Sequence, residues 1–460
     1  MTRISILASL MVLTVVSTAD AQLMEPPPRT TRPRLGSTRP TERDETTHTL
    51  AFRVDLLAGY NRNHVPSNSP QAQNLILRPS SYTGSGDATL QYSVGNSRRG
   101  LDVSGGGRAN GYSNVGGNPG PVYGGDISAS ARTPLGGGTT LTVSQNANLS
   151  PYMALGLFDG LQTAANVAYD PEGNVLNGLL EGNIWSMNTG VAVGHSWASR
   201  TTTAVRYGYQ TRDHQRGGND LSQKDHSAAF DVAQQFGQTV GIRASYRVAN
   251  RRAQQVGLQR HDLSHGITGG FQMGQQISRT RTLSMAVGGG AELIDSFAFA
   301  ASRYWQPSWY SSLGIDIGRS WAVTANYQQT SSVVHSIVSA PDSYLMQSAV
   351  VSTGGNAGSN VELVFNAGYS SGKVSAVRSI TGARGDFNGF TSGAQMRTLL
   401  AGGWSAVVSV NHYQSQLSGA ASQFLQTSGE FERTSFRVGF SWSTQLIDSS
   451  RSRATPRRRS

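Results

Sequence analysis

Several charged side chains stand alone inside apolar neighbourhoods. Arg206 lies between Val205 and Tyr207, Arg243 between Ile242 and Ala244, and Arg247 between Tyr246 and Val248. Asp231 lies between Phe230 and Val232, Asp316 between Ile315 and Ile317, and Glu362 between Val361 and Leu363. Arg53 and Asp55 alternate with Phe52, Val54 and Leu56. An arginine on a lipid-facing strand position costs about 2–4 kcal/mol at the bilayer midplane, whereas in a hydrated lumen it costs little. Such charges therefore ask for a face that sees water while the neighbouring face does not. The chemistry they offer is electrostatic: attraction and repulsion of passing ions rather than bond making.

Bond-making chemistry is poorly served. The chain has no cysteine and no GxSxG, Walker or HExxH pattern. Gly105-Gly106-Gly107 and Gly136-Gly137-Gly138 do not lie between a strand and a helix, so they are not read as phosphate loops. His261 and His265 are four residues apart, but in a segment read as a loop, where no helix aligns them for a metal. We expect no enzyme activity, no metal and no cofactor.

The elements that must position the charges are strands. The clearest unit runs from Asn183 to Asp213, where Met187, Thr189, Val191, Val193, His195 and Trp197 alternate with small or polar residues. After Ser199-Arg200 the alternation resumes with Thr203, Val205, Tyr207 and Tyr209. Period two puts successive side chains on opposite faces of a sheet, and a two-residue break makes a hairpin. One face is greasy and ends in aromatics; the other is small, polar and carries Arg206. That is a barrel with its polarity inside out.

Eighteen such segments can be read: 49–60, 86–95, 99–111, 124–133, 138–148, 186–198, 201–211, 226–236, 239–250, 264–275, 281–291, 309–318, 321–330, 344–353, 360–371, 389–400, 403–413 and 433–443. Each is near the ~10 residues a tilted membrane strand needs. The expected fold is an all-β, transmembrane, antiparallel up-and-down barrel of about eighteen strands, with sixteen as the alternative. The connections alternate long and short, which puts both termini on the short-turn side. Parity assigns Arg53, Arg108, Arg132, Arg206, Arg243, Arg247, Arg397 and Arg437 to the lumen, with Asp55, Asp102, Asp126, Asp231, Asp316 and Glu362. The bland alternative is wall solvation with Arg–Asp pairing, such as Arg53 beside Asp55.

Aromatics give an independent check, since girdles sit where lipid meets water. Trp197, Phe236, Trp321, Trp404 and Trp442 fall beside the short turns. Tyr60, Tyr209, Trp309, Tyr327, Tyr344, Tyr369 and Phe390 fall at the opposite rim.

The ends differ from the middle. In a chain of 460 residues with 14% charged residues and a net charge of +11, much of the positive charge lies terminally, so nucleic-acid binding is not read from it. Residues 1–21 have a secretory signal pattern with Arg3, an apolar Ile4 to Val16 and a cleavage site near Ala21. Residues 22–47 form a Pro/Arg-rich segment expected to be disordered, 48–444 the barrel, and 445–460 a basic tail. The basic ends are spacers or, on the functional alternative, docking segments for anionic cell wall or a periplasmic partner.

The strand and loop pattern resembles the bacterial outer-membrane porin class of a Gram-negative-type envelope, across about 400 residues of the chain. The resemblance is architectural and carries no residue motif. It implies an outer-membrane location with both termini periplasmic, contact with outer-membrane lipid and the assembly machinery, and passive diffusion of small hydrophilic solutes. It also gives rank to the segment 149–185, since a porin's third loop often narrows the lumen with acids facing basic wall residues. Asp159, Asp170, Glu172 and Glu181 are the corresponding candidates. Two other functions are carried: export of an anionic exopolysaccharide, and a non-conducting structural or surface-interaction barrel.

Overall fold

The computed structural model describes residues 47–64, 80–96, 99–112, 122–152, 181–197, 200–215, 221–237, 239–255, 258–297, 301–318, 320–334, 342–375, 384–418 and 430–448. These hold eighteen strands. They are β1 (Thr47–His64), β2 (Ser80–Gly95), β3 (Gly100–Tyr112), β4 (Val122–Gly136), β5 (Thr139–Tyr152), β6 (Glu181–Ser196), β7 (Thr201–Gln215), β8 (Leu221–Phe236) and β9 (Val240–Gln255). The second half comprises β10 (Leu258–Ser278), β11 (Arg281–Phe297), β12 (Ala301–Ile317), β13 (Trp321–Val334), β14 (Asp342–Asn356), β15 (Val361–Ser375), β16 (Arg384–Leu399), β17 (Trp404–Leu417) and β18 (Glu430–Asp448).

Each strand pairs antiparallel with its neighbours in sequence, and β1 pairs with β18, so the sheet closes on itself. Closure leaves no unpaired edge, which is what lets a sheet cross lipid. The eighteen-strand expectation holds and the sixteen-strand alternative does not. Among the described residues no helix is long and apolar enough to cross a membrane.

The strands are longer than the alternation suggests, from 13 residues in β3 to 21 in β10. The extra length lies mostly at the long-connection end. Of residues 251–263, read as a loop, 251–255 instead end β9 and 258–263 open β10, with Leu258 opposite Gln255 and His261 opposite Arg252. The pair His261 and His265 is therefore on a strand and not in a loop. Likewise Leu149–Tyr152 continue β5, and Glu181–Trp185 open β6 rather than closing the third loop. The reason is that apolar alternation stops where lipid stops, whereas backbone pairing continues above it.

β18 also outruns its expected end at 443 and reaches Asp448, which stands opposite Thr49. The seam absorbs a register shift between Leu50 and Ala51. At the short-connection end the turns are set by backbone that only glycine adopts freely. Gly136, Gly137 and Gly138 have φ of 100°, 56° and 82°. Between β16 and β17, Gly402 and Gly403 have φ of 68° and 82°.

Candidate functional site

Curvature tells the two faces of the closed sheet apart. Side chains on the concave face converge and bury one another; those on the convex face diverge. Every buried side chain among the described residues, apart from Thr211, has one parity, and that face includes Asn61, Asp231, Arg433 and Arg437. The other parity carries the large apolar groups left in the open, such as Leu56, Val205, Phe230, Ile267 and Phe440. The convex face thus presents its large apolar groups outward, and the chain is a membrane-spanning barrel around a polar inner wall.

The first cluster on that wall lies across the seam. Arg53 donates to Asp55 through Nη2 at 2.9 Å and lies 2.7 Å away through Nε. Asp55 stands directly opposite Asp87, and Asp87 opposite Arg108. Asp87 feels the charges of Arg108, Asp55, Arg437 and Arg53. Two adjacent carboxylates are therefore held among three arginines. Small residues shape this arrangement. A Cβ on Gly59 would meet Cγ of Arg437 at 2.8 Å, and one on Gly124 would meet Nε of Arg108 at 2.8 Å. Both arginine stems lie flat on the wall in slots that glycine leaves open.

The second cluster lies on β7, β8 and β9. Asp231 is 5% exposed. It accepts from Arg206 Nε at 2.7 Å and from Arg243 Nη2 at 2.8 Å, with Arg206 Nη2 at 2.5 Å. Register places Arg206 opposite Ala229, and Ala229 opposite Arg247, so a third arginine borders the group on the same face. Alanine between them leaves room for the guanidinium groups to reach across strands.

The other expected wall charges are dispersed. Arg397 stands directly opposite Glu362. Arg132 and Asp316 lie near the short turns, opposite Thr142 and Ala322. Asp102 accepts from Ser93 Oγ at 2.5 Å. Asp126 leans over Gly106, where a Cβ would meet its Oδ1 at 3.1 Å. Parity would also have found Asp87 and Arg433, both inside segments read as strands. Asp225, Asp262 and Glu292 share the inner face as well, but they fell in stretches read as loops. Of the constriction candidates, Asp159, Asp170 and Glu172 lie outside the described residues. Glu181 opens β6 opposite Tyr152.

The inner wall is buried in places at both ends, Ser405, Val407 and Ser441 lying near the short turns. Toward the long-connection end, Asn61, Asn110, Ser264, Ile294, Ser348, Ser370, Tyr413 and Ser435 are buried; they lie on β1, β3, β10, β11, β14, β15, β17 and β18. Arg53 and Arg206 lie nearer the short turns, and their side chains keep 40% and 33% of their exposure.

On the convex face Trp197, Phe236 and Trp404 are exposed beside the short turns. Trp321 covers Gly355, and Trp442 packs against Phe52 and Trp404 with ring centroids 6.0 and 6.3 Å away. At the opposite end Tyr60, Trp309, Tyr327, Tyr369 and Phe390 are exposed, and Tyr209 lies against His226. The side chain of Tyr344 lies outside the described residues. The outward histidines bond to neighbouring side chains: His261 to Asn250 and His265 to Tyr246, each at 2.9 Å. Among the described residues no group of three or more His, Asp or Glu is placed to hold a metal.

No protein-family model matches the sequence, and no curated protein matches it. Among solved structures the chain is similar to Pseudomonas aeruginosa OpdK with vanillate, at TM-score 0.44 and 12% identity over 86% of this chain and 99% of that one. Acinetobacter baumannii OccAB2 gives 0.45 and 11% over 88% and 99%. Pseudomonas aeruginosa OpdQ gives 0.41 and 11% over 87% and 98%.

Proposed function

We propose that this protein is an outer-membrane, porin-like channel for passive diffusion of small hydrophilic solutes, with a modest preference for anions. On this reading the short turns and both chain ends face the periplasm. An eighteen-strand barrel is too wide for side chains to fill. The observation that carries the preference is the composition of the two wall clusters. Arg53, Arg108 and Arg437 outnumber Asp55 and Asp87, and Arg206, Arg243 and Arg247 outnumber Asp231. An excess of fixed positive charge on a low-dielectric wall raises the local concentration of anions.

Buried inner-face residues toward the long-connection end, from Ser264 on β10 to Ser435 on β18 and Asn61 on β1, support a lumen narrowed at that mouth. We assign the narrowing to the segment between β5 and β6, with Asp159, Asp170 and Glu172 facing the arginine wall. Deleting 152–176 is then expected to raise single-channel conductance, and unchanged conductance and solute exclusion overturn that assignment. The same burial favours a second reading, a barrel closed at rest. Export of an anionic polysaccharide needs a continuous basic track, and Asp55, Asp87, Asp126 and Asp231 interrupt it. Planar-bilayer recording of the refolded chain decides between pore and plug. Stepwise currents are expected, with a reversal potential in a salt gradient that favours the anion. Inserted but silent protein overturns the channel.

A further inference from the structure

The convex face of β7–β10 carries an ordered ladder that conduction does not need. Register sets its rungs. Val205, Phe230, Tyr246 and Ile267 form one apolar rung, all of them exposed. Two rungs toward the long connections, His226 stands opposite Tyr209 and accepts or donates at 2.8 Å with the hydroxyl of Tyr207. One rung further, Lys224 stands directly opposite Arg252, and Arg252 directly opposite His261. Rungs on one face are two residues apart, about 7 Å along the strand. The order is thus acyl-compatible surface, then amphipathic rings, then cations.

Lys224 and Arg252 are both exposed. Like charges directly opposite each other destabilise a sheet. Neither has an ion-pair partner among the described residues; the carboxylate on this face next along β7, Asp213, stands one rung away opposite Ser222. The neighbouring pair on β11 and β12 shows the contrast, since Arg303 there is neutralised by Asp295 at 3.1 Å. Two uncompensated cations one rung above an aromatic belt occupy the depth at which a lipid headgroup presents its phosphate.

We infer that Lys224 and Arg252, with His261 beside them, form a binding site on the barrel's outer surface for the phosphate of an anionic lipid in the leaflet on the long-connection side. The acyl chains would lie down the Val205, Phe230, Tyr246 and Ile267 rung. This rests on the membrane-spanning barrel and is independent of whether the lumen conducts.

The test is lipid retention by the refolded full chain, taken from nanodiscs of phosphatidylcholine with one-fifth phosphatidylglycerol into mild detergent and read by native mass spectrometry. The wild type is expected to keep phosphatidylglycerol and shed phosphatidylcholine. Lys224→Gln with Arg252→Gln should cut retention at least fivefold, while the swap Lys224→Arg with Arg252→Lys keeps it and shows that folding is not the cause. Arg62→Gln, on the outer face of β1, should change nothing. Retention unaffected by the double substitution overturns the site. So does equal loss in the Arg62 variant, which would mean diffuse charge, or displacement of the lipid by millimolar inorganic phosphate, which would mean a free-anion site.

Discussion

The phenol of Tyr310 lies across Gly288 on the inner wall. The two residues are directly opposite on β12 and β11, and a methyl group built on Gly288 would fall inside the space of the tyrosine ring. The same ring reaches Gly270 on β10, where a Cβ would also collide with the hydroxyl. On the convex face Trp309 covers the next glycine, Gly289, in the same way. Two consecutive aromatics thus hold a run of glycines from both sides. Glycine weakens a strand, and an aromatic laid over it restores packing.

Gly288→Ala is therefore expected to destabilise the barrel by about 1–3 kcal/mol, the usual cost of overpacking. Tyr310→Ala should cost about 1 kcal/mol through the uncovered glycines. The double variant should cost less than the two together, because removing the ring makes room for the methyl. Urea unfolding in lipid vesicles reads all three, and strict additivity would show that the ring does not rest on Gly288.

Asp231 neutralises two arginines, so Asp231→Asn leaves Arg206 and Arg243 facing each other across the wall. Anion preference should rise, seen as a larger reversal potential in a salt gradient. Stability should fall by about 1–3 kcal/mol, less than for a fully buried pair because the guanidinium groups keep part of their water.

The opposite substitution set, Arg206, Arg243 and Arg247 together to Gln, should weaken anion preference. The effect should be largest at low salt, where the Debye length is longest. An unchanged reversal potential at low salt would remove the selectivity reading.

Gly59 is the slot for Arg437, and Gly59→Ala would also press on the carbonyl of Phe436 at 2.9 Å. The arginine should lift from the wall into the lumen. Single-channel conductance is expected to drop, and pairing the change with Arg437→Ala should restore it.

At the seam, Trp442 joins Phe52 on β1 to Trp404 on β17. Trp442→Ala should cost about 2 kcal/mol or more, from lost ring contacts and lost burial at the membrane interface. The heat-modifiable electrophoretic shift of the folded barrel should move to lower temperature.

Much of this was legible in sequence because it depends on local periodicity. Side-chain parity put Arg206, Asp231, Arg243 and Arg437 on one face, and the same parity put Trp404 and Trp442 on the other. Strand number followed from counting alternating segments, since each must span the same thickness of lipid. Three things were not legible. The strand ends were missed at His261 and at Trp185, because above the membrane the sheet continues without a lipid-facing signal. The seam between β1 and β18, with its shift at Leu50 and Ala51, joins residues nearly the whole chain apart. The partners of each charge also needed register: Asp55 beside Arg53 is readable in one strand, whereas Asp87 beside Asp55, or Asp231 between Arg206 and Arg243, is not. A period of two says which face a residue occupies, and only the closed, registered sheet says which residues meet there.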